Sequence, residues 1–417
     1  MQAVILTAGA STRFYPLSES IPKAMVSIMG KPILAHTILA LAKMDIRDII
    51  LVVSPNTSFK NYLGDGQQFG TKINYVIQDK PLGMADGLLR ARKLIHDDFF
   101  LLHGHHLDIG EFIKPMVDKK RMTDGVLLIS ERDNPWEFGV VGLNNEKIIS
   151  LVEKPTKGTQ ASNLCVAGIY LLTADFLPFL DKIKPSHYQL EMALNEWAKI
   201  KNLAAYQGQT TPVTLKYPWD LLNIKNYLLQ RSDHRISRGA KIGKGVILVG
   251  KMVIEDGVTV MENAVIKGPV YLGKNVLVGN NALVRDGTVL EENCRVGAFS
   301  EVKNSLFLPN SSLGSGFVAS SIIGQDCRLA HGLTTANRRF DRQTINVNVK
   351  GKIVDSGLND LGVIMGDGVY AGIGVGTMPG RTIGKGAIIG PGTFVFEDVP
   401  TGVDYRTEFK NISKKRT

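Results

Sequence analysis

A six-residue spacing of aliphatic side chains dominates the second half of this chain. Every sixth position from residue 236 to residue 308 is Ile, Val or Leu. These positions are Ile236, Ile242, Leu248, Ile254, Val260, Ile266, Leu272, Val278, Val284, Leu290, Val296, Val302 and Leu308. A hexapeptide repeat is typical of a parallel β-helix, in which each side of a triangular coil takes about one repeat and the aliphatic side chain points inward. The spacing therefore predicts a left-handed parallel β-helix over residues 236–417.

The series is interrupted once and then resumes in a new register. The resumed positions are Ile323, Leu329, Met365, Ala371, Thr377, Ile383, Ile389 and Val395. Residues 336–362 break the pattern, and we expect them to leave the coil as a loop. That loop carries the basic residues Arg338, Arg339, Arg342, Lys350 and Lys352. They form either a solvated surface or a clamp for a CoA or nucleotide phosphate.

The first half alternates short apolar strands with helical patterns. The predicted strands are Ala3–Leu6, Ile49–Val53, Ile73–Ile77, Phe99–Leu102, Val126–Ile129 and Val166–Leu171. The predicted helices include Ile33–Ala42, Met84–Ile95 and Gln189–Ile200, and a helix within 220–235 should link the halves. This alternation predicts a doubly wound, mainly parallel, Rossmann-like α/β domain over residues 1–219. Such sheets bind ligands beyond the carboxyl ends of their strands, so Gly9 and Gly104 belong to the expected crevice.

Composition narrows the range of functions. The chain has 44% hydrophobic residues and a net charge of +10, and no apolar run approaches the roughly 18 residues of a membrane span. The chain has three cysteines, which are Cys165, Cys294 and Cys327. They are far apart in the sequence and do not have the spacing of metal ligands, which fits free thiols in a reducing cytoplasm. The positive charge is dispersed and lacks interleaved aromatic residues. This pattern argues against nucleic acid and favours small anionic ligands such as nucleotides and sugar phosphates.

Several motifs of the first half occur in the order of a known family. They are "LTAGASTRFYPLSESIPKAMVSIMGKPIL" (6–34), "QDKPLGMADGL" (78–88), "WEFGVVGL" (136–143), "LVEKP" (151–155), "NLCVAGIYLL" (163–172) and "PWDLL" (218–222). In these motifs the chain resembles sugar-1-phosphate nucleotidylyltransferases. With the hexapeptide half and "TTANRRFD" (334–341), it is most similar to archaeal-type bifunctional enzymes of UDP-N-acetylglucosamine synthesis. These join a uridylyl- or thymidylyltransferase to a glucosamine-1-phosphate N-acetyltransferase.

The resemblance implies a role for each matching residue. Arg13 would hold the leaving pyrophosphate, and Lys23 would hold the reacting phosphates of a nucleoside triphosphate. The rest of the nucleotide would be bound by Ala8, Gly9, Gln78 and Gly83. The sugar-1-phosphate would lie against Gly139, Glu153, Lys154, Asn163 and Gly168. The family's reaction depends on positioning and charge neutralisation rather than on covalent chemistry of the protein.

Three positions in the first half depart from the family pattern. His105 replaces the aspartate that binds Mg²⁺ after the fourth strand, Thr214 occupies the second metal position, and Ser11 replaces a glycine of the first turn. Mg²⁺ prefers oxygen ligands, so these changes weaken the expected magnesium site. Two rescues remain open. Either Asp108 supplies the missing carboxylate, or the histidines of "HGHH" (103–106) bind Zn²⁺ or another softer ion.

The second half departs from its pattern as well. The related acetyltransferases use a histidine as general base for the amino group, and Gly314 occupies that position here. Gly314 is also where the six-residue series first loses its aliphatic residue. Asn337 of the family pattern is retained, and Asn337 and Lys350 are the candidate acyl-transfer and CoA residues. His331 stands where the family has a small residue, and it is either a replacement base or a surface histidine.

Three functions remain open from the sequence. The first, which we favour, is an active nucleotidylyltransferase that uses a nucleoside triphosphate, a sugar-1-phosphate and Mg²⁺. Its second half is acetyltransferase-like, and weak or no acyl transfer from acetyl-CoA is expected of it. The second is a catalytically impaired homologue that binds nucleotide or nucleotide sugar and regulates, or assembles with, an active paralogue. The third is a structural scaffold, against which Arg13, Lys23 and "LVEKP" argue. By resemblance, a homotrimer or a dimer of trimers is expected.

Overall fold

The chain divides into two compact units. The computed structural model describes residues 1–55, 58–411, 413 and 414. The first unit comprises Met1–Ala10 and Pro32–Thr214, and the second comprises Ser11–Lys31 and Leu215–Thr417. The boundaries predicted from the sequence place residues 11–31 in the first domain and residues 220–235 in a linker, whereas both segments belong to the second unit. None of the described helices is long and apolar enough to cross a membrane.

The first unit is built on one nine-stranded sheet. In order across the sheet, its strands are Lys72–Ile77, Asp48–Val53, Gln2–Leu6, Phe99–His103, Leu164–Leu172, Gly125–Glu131, Leu203–Gln207, Lys147–Glu153 and Gly139–Asn144. The strands from 72–77 to 99–103 are parallel to one another. Strand 164–172 runs antiparallel to both of its neighbours. The predicted α/β class is confirmed, and the sheet is mixed rather than mainly parallel.

Burial explains which strands the sequence could predict. Strand Phe99–His103 begins with four apolar residues that are each no more than 1% exposed. A strand covered on both faces has a continuous apolar sequence, which is easily recognised. Strand Lys147–Glu153, which the sequence did not predict, alternates exposed and buried residues and includes lysine and serine.

The helices of the first unit include those predicted, near their predicted positions, together with others that the sequence did not predict. They are Ile33–Lys43, Ser58–Leu63, Met84–Ala91, Ile113–Lys120, Phe176–Leu180 and Gln189–Ile200. The helix that begins at Met84 is shorter than predicted, because it ends at Ala91 and is followed by the 3-10 turn Arg92–Leu94. Short 3-10 turns commonly close the end of an α-helix.

The second unit is a β-helix whose coils pair edge to edge in three parallel sheets. The first sheet contains Arg235–Ile236, Met252–Ile254, Val270–Leu272, Val289–Leu290, Leu306–Phe307, Ile322–Ile323, Ile364–Met365 and Thr382–Ile383. The second contains Lys241–Ile242, Thr259–Val260, Leu277–Val278, Arg295–Val296, Ser312–Leu313, Arg328–Leu329, Tyr370–Ala371, Ile388–Ile389 and Asp404–Tyr405. The third contains Ile247–Val249, Val265–Lys267, Leu283–Arg285, Glu301–Lys303, Gly316–Ala319, Leu333–Thr335, Gly376–Thr377 and Phe394–Val395.

The repeat changes length near the middle of the β-helix. Coils before Leu290 advance by 18 residues, as in the pair Ile254 and Leu272. Leu290 instead pairs with Phe307, one residue short of the prediction. Phe307, and not Leu308, therefore fills the inward position, and it is fully buried. Leu313 likewise pairs with Val296 and continues the aliphatic series. The sequence suggested that the series is lost at Gly314, and this interpretation is wrong.

Two elements of the second unit lie outside the coils. Between residues 335 and 364 the chain forms the hairpin Asn346–Val349 and Lys352–Asp355. Helix Asp220–Arg231 is fastened to the β-helix by Lys225, whose Nζ donates to the Gly287 carbonyl at 2.7 Å and to Asn304 Oδ1 at 2.8 Å. Lys225 is fully buried, and this burial lowers the pKa of its ammonium group to about 7.

Candidate active site

The first strand ends in a turn that carries the predicted phosphate-binding backbone. After strand Gln2–Leu6, the Thr7 N–H and hydroxyl both donate to the Val52 carbonyl at 2.8 Å. Ala8 is buried and Gly9 is exposed. Ser11 has a φ of 52°, a left-handed conformation that a glycine would adopt at lower cost. The substituted turn is therefore formed with some local backbone strain at Ser11.

Arg13 and Lys23 both lie on 3-10 turns of the segment 11–31, in the second unit. Lys23 Nζ donates to the Leu215 carbonyl at 2.9 Å. Burial, followed by the charge of Arg13, lowers the pKa of Lys23 to about 8, and the nearby Asp220 carboxylate partly offsets this shift. The structure thus brings the two predicted cations together.

Asp220 is a residue of this cluster that the sequence did not identify. Its Oδ2 accepts hydrogen bonds from the backbone N–H groups of Lys216 at 2.6 Å and Tyr217 at 2.8 Å. Burial raises the pKa of Asp220, against the effect of these two hydrogen bonds. The quoted motif "PWDLL" contains this aspartate, so the signal was present but was assigned no role.

In the first unit, Gln78 and Gly83 are held together by a hydrogen bond. Gln78 Nε2 donates to the Gly83 carbonyl at 3.0 Å and to Asp86 Oδ2 at 2.8 Å. Gly83 has a φ of 114°, and a Cβ there would lie 2.7 Å from the His187 carbonyl oxygen. Only glycine fits this position without strain, so the close approach of these segments depends on it.

Two of the five predicted sugar-side residues, Glu153 and Lys154, line one cavity of the first unit. Gly139 pairs with Glu153 across an antiparallel ladder, and a Cβ on Gly139 would lie 2.8 Å from Glu153 Oε2. Lys154 Nζ lies 3.6 Å from Glu153 Oε1. Glu153 and Lys154 line a cavity of about 400 Å³ together with Val140, Ser150, Val152, Pro155, Thr156, Thr159, Gln160 and Ala161. Asn163 is exposed, and its carbonyl accepts from the Arg132 N–H at 3.0 Å.

Glu191 is a second group that sequence reasoning missed. It lies on helix Gln189–Ile200 and is 8% exposed. Burial raises the pKa of Glu191 to about 7, and the charge of Glu153 adds to this shift while Lys154 opposes it. A helical glutamate in an amphipathic pattern gives no local sign of burial, so only the tertiary structure reveals it.

The histidines of "HGHH" pack against Gly168 in the first unit. Their ring centroids are 5.5 Å apart for His103 and His105, 6.0 Å for His103 and His106, and 4.5 Å for His105 and His106. The first two rings are stacked. A Cβ on Gly168, which has a φ of 78°, would lie 3.2 Å from the His103 ring. Within the described ranges, no group of three His, Cys, Asp or Glu side chains is arranged to hold a metal ion, which does not support the zinc alternative.

The positions expected for Mg²⁺ offer a poor donor set. His105 presents an imidazole where the family has a carboxylate, and Asp108 is 3% exposed. Asp108 Oδ2 accepts a hydrogen bond from the Val213 N–H at 2.6 Å, so this carboxylate fixes the residue that precedes Thr214. Mg²⁺ requires several oxygen ligands in octahedral geometry. The residues present do not fit a magnesium ion bound by the protein.

The second-unit candidates are only partly brought together. A Cβ on Gly314 would lie 3.1 Å from the His331 N–H nitrogen, and His331 Nδ1 lies 3.1 Å from Ser315 Oγ. Asn337 Nδ2 donates to Ser320 Oγ at 3.3 Å, while Lys350 lies in the turn of the hairpin 346–355.

Two of the five basic residues in the loop of the second unit form ion pairs with carboxylates of the same loop. Arg338 pairs with Asp360, and Arg339 pairs with Asp341. These pairs favour the solvated surface over the anion clamp for the two arginines.

Comparison with known proteins matches both halves. The family model described as nucleotidyl transferase matches residues 2–210. The model described as bacterial transferase hexapeptide (six repeats) matches residues 251–286 and 269–304.

Similar proteins cover the whole chain. The bifunctional protein GlmU of Methanococcus maripaludis is 38% identical over 422 residues, which cover 100% of both proteins. A bifunctional sugar-1-phosphate nucleotidylyltransferase/acetyltransferase of Sulfurisphaera tokodaii is 32% identical and covers 96% of this chain and 99% of its own length. The crystal structure of a glucose-1-phosphate thymidylyltransferase from Bacillus anthracis, in complex with sucrose, is similar to 56% of this chain with 97% of its own length covered. Its sequence identity is 25% and its TM-score is 0.50.

Proposed function

Because this chain belongs to the nucleotidyl transferase family, with a hexapeptide-repeat second half, we propose that it transfers a nucleotidyl group from a nucleoside triphosphate to a sugar-1-phosphate. A phosphate oxygen of the sugar-1-phosphate attacks the α-phosphorus and forms the new P–O bond. The bond from the α-phosphorus to the bridging oxygen of the β-phosphate breaks, and pyrophosphate leaves with that electron pair. The products are a nucleoside diphosphate sugar and pyrophosphate.

The observation that carries this proposal is the adjacent pair of cations, Arg13 and Lys23, on the segment 11–31. Arg13 and Lys23 lie close enough for the charge of Arg13 to lower the pKa of Lys23. Two adjacent positive groups stabilise the charge that develops on the phosphates during transfer. Lys23 is oriented by the Leu215 carbonyl, so it needs little rearrangement to act.

The sugar-phosphate would be oriented by the cavity that Glu153 and Lys154 line. Lys154 supplies a cation for the phosphate, and Glu153 supplies an acceptor for sugar hydroxyls. Gln78 would contact the base through its amide, whose nitrogen is already directed by Gly83 and Asp86. These residues account for binding and orientation, and no step is assigned to a metal ion.

A second function is favoured by one observation, the replaced carboxylates. Loss of metal stabilisation that is worth about 4 kcal/mol corresponds to about a thousandfold loss in rate. A chain with His105 and Thr214 at these positions would then bind nucleotide or nucleotide sugar without efficient turnover. It would serve as a regulatory or assembly partner of an active paralogue.

One experiment separates the two functions. The purified full chain is incubated with each nucleoside triphosphate, a panel of sugar-1-phosphates, and Mg²⁺, Mn²⁺ or Zn²⁺, and pyrophosphate release is measured. We expect release with at least one pair, and loss of that release in Lys23→Met. Absence of release with every pair, together with nucleotide binding by calorimetry, would establish the second function instead.

A further inference from the structure

The segment that carries Arg13 and Lys23 belongs to the same compact unit as the β-helix and is bonded to it. It ends in a small hairpin formed by Ser27–Ile28 and Lys31–Pro32. The turn residues Met29 and Gly30 have φ values of 53° and 76°. Their backbone N–H groups point to the same side, where a single carboxylate receives both of them.

That carboxylate belongs to Glu291, which directly follows the β-helix strand Val289–Leu290. Its Oε1 accepts from the Met29 N–H at 2.6 Å, and its Oε2 accepts from the Gly30 N–H at 2.9 Å. Ser27 Oγ lies 3.5 Å from Oε2. Glu291 is only 1% exposed, and an ionisable group at such a site is costly unless it is well paired. Packing of the coil alone would require only an apolar residue at this position. The buried glutamate is therefore explained by its hydrogen bonds to the turn.

Two further contacts fix the segment on the same unit. A Cβ on Gly30 would lie 2.8 Å from the Tyr271 hydroxyl oxygen, so the turn sits directly on that side chain. Glu19 accepts a hydrogen bond from the Thr401 hydroxyl. Lys23 lies between these two anchors, four residues before Ser27, and its neighbours Ala24 and Met25 are buried.

We propose that Glu291 is a positioning residue for nucleotidyl transfer, because it holds the hairpin turn from the β-helix and thereby fixes the segment that carries Arg13 and Lys23. This inference rests on the proposed function. The β-helix then positions the cations that are proposed to act in nucleotidyl transfer, in addition to any activity of its own. Glu291 touches no reacting group, and it acts only through the backbone of the segment.

The test compares full-length variants in the pyrophosphate-release assay. Glu291→Ala removes both acceptors, Glu291→Gln keeps one good acceptor, and Glu292→Gln is the matched control at the exposed neighbouring position. Gly30→Ala disturbs the same turn through the contact of its new Cβ with the Tyr271 hydroxyl. This variant replaces Glu291→Ala in the test if Glu291→Ala does not fold. Melting temperature reports the fold, and hydrogen exchange of the peptide that spans residues 27–31 reports the turn.

We expect a split between kcat and KM. The base and the sugar are proposed to bind through other residues, so misplaced cations mainly affect the transition state. Misplacement by about 1 Å lowers kcat by about a hundredfold, so Glu291→Ala should lose that factor with KM changed less than about threefold. Glu291→Gln should retain an intermediate kcat, and exchange at residues 27–31 should be faster in both variants. Glu292→Gln should match the wild type in every measurement.

The outcomes distinguish the two proposals. If the wild type turns over and folded Glu291→Ala and Gly30→Ala both keep kcat within about twofold, the positioning role is wrong and the proposed function stands. A lowered melting temperature with unchanged kcat would also show that the positioning role is wrong, because Glu291 would then contribute to stability alone. If the wild type releases no pyrophosphate with any substrate pair, the proposed function fails and the positioning role fails with it.

Discussion

The charge of Lys23 should limit turnover at alkaline pH. Burial and the neighbouring Arg13 lower the pKa of this ammonium group to about 8. A lysine whose pKa is lowered loses its proton as the pH rises through that value, so about a tenth of the molecules keep the charge at pH 9. If the protonated amine is needed at the phosphates, kcat/KM falls about tenfold for each pH unit above 8.

The assay is the pH profile of pyrophosphate release between pH 7 and pH 10 at constant ionic strength. Phosphate monoesters complete their second ionisation near pH 6, so the substrates contribute little above pH 7.5. Lys23→Arg is the matched control, because a guanidinium stays charged across this range, and its profile should be flat. Lys23→Met should lose about a hundredfold or more at pH 7.5. A flat wild-type profile up to pH 10 would refute the assignment of Lys23 to the phosphates.

Three further predictions concern buried groups and the second half. Burial raises the pKa of Glu191 from 4.5 to about 7, so the folded state binds more protons than the unfolded state in this interval and stability falls as the pH rises from about 4.5 to about 7. In Glu191→Gln that fall should disappear, with a gain of about 3 kcal/mol in urea unfolding at pH 8. If stability depends on pH in Glu191→Gln as it does in the wild type, the assignment of this pH dependence to Glu191 is wrong. Lys225→Met should lose about 1–3 kcal/mol, because buried acceptors are left without their donor, whereas the exposed control Lys267→Met should change little. Equal effects of the two substitutions would refute the buried anchor. Thiol release from acetyl-CoA with glucosamine-1-phosphate should be weak or absent, because Gly314 offers no general base. Strong thiol release that is abolished in His331→Gln would contradict this prediction and identify His331 as the base.

The β-helix could be predicted because its side-chain period is visible in the sequence. Each inward position is buried by the coils on either side, so aliphatic residues recur at a fixed spacing. The prediction failed by one residue at Leu308, since the coil that joins Leu290 to Phe307 is one residue shorter than those before it. Such shortening occurs in the corners, where no inward side chain marks the change. The first coil also departs from the predicted burial of the aliphatic positions, because Ile236 is 38% exposed and Ile242 is 41% exposed.

The candidate site could be predicted only where its residues lie in local motifs. Gln78 and Gly83 are five residues apart, and the structure joins them by a hydrogen bond. The membership of segment 11–31 in the second unit could not be predicted, because it depends on contacts such as Met29 with Glu291, which are 262 positions apart. No local pattern records such a pairing.

The measurement that tests the central claim most directly compares pyrophosphate release by the wild type with that of the double variant His105→Asp and Thr214→Asp. Both proteins are assayed with the same nucleoside triphosphates, sugar-1-phosphates and Mg²⁺. Our account predicts measurable turnover by the wild type, since it assigns the chemistry to Arg13 and Lys23, and faster turnover by the double variant. Turnover by the double variant alone would contradict the account and identify the natural chain as a catalytically impaired homologue.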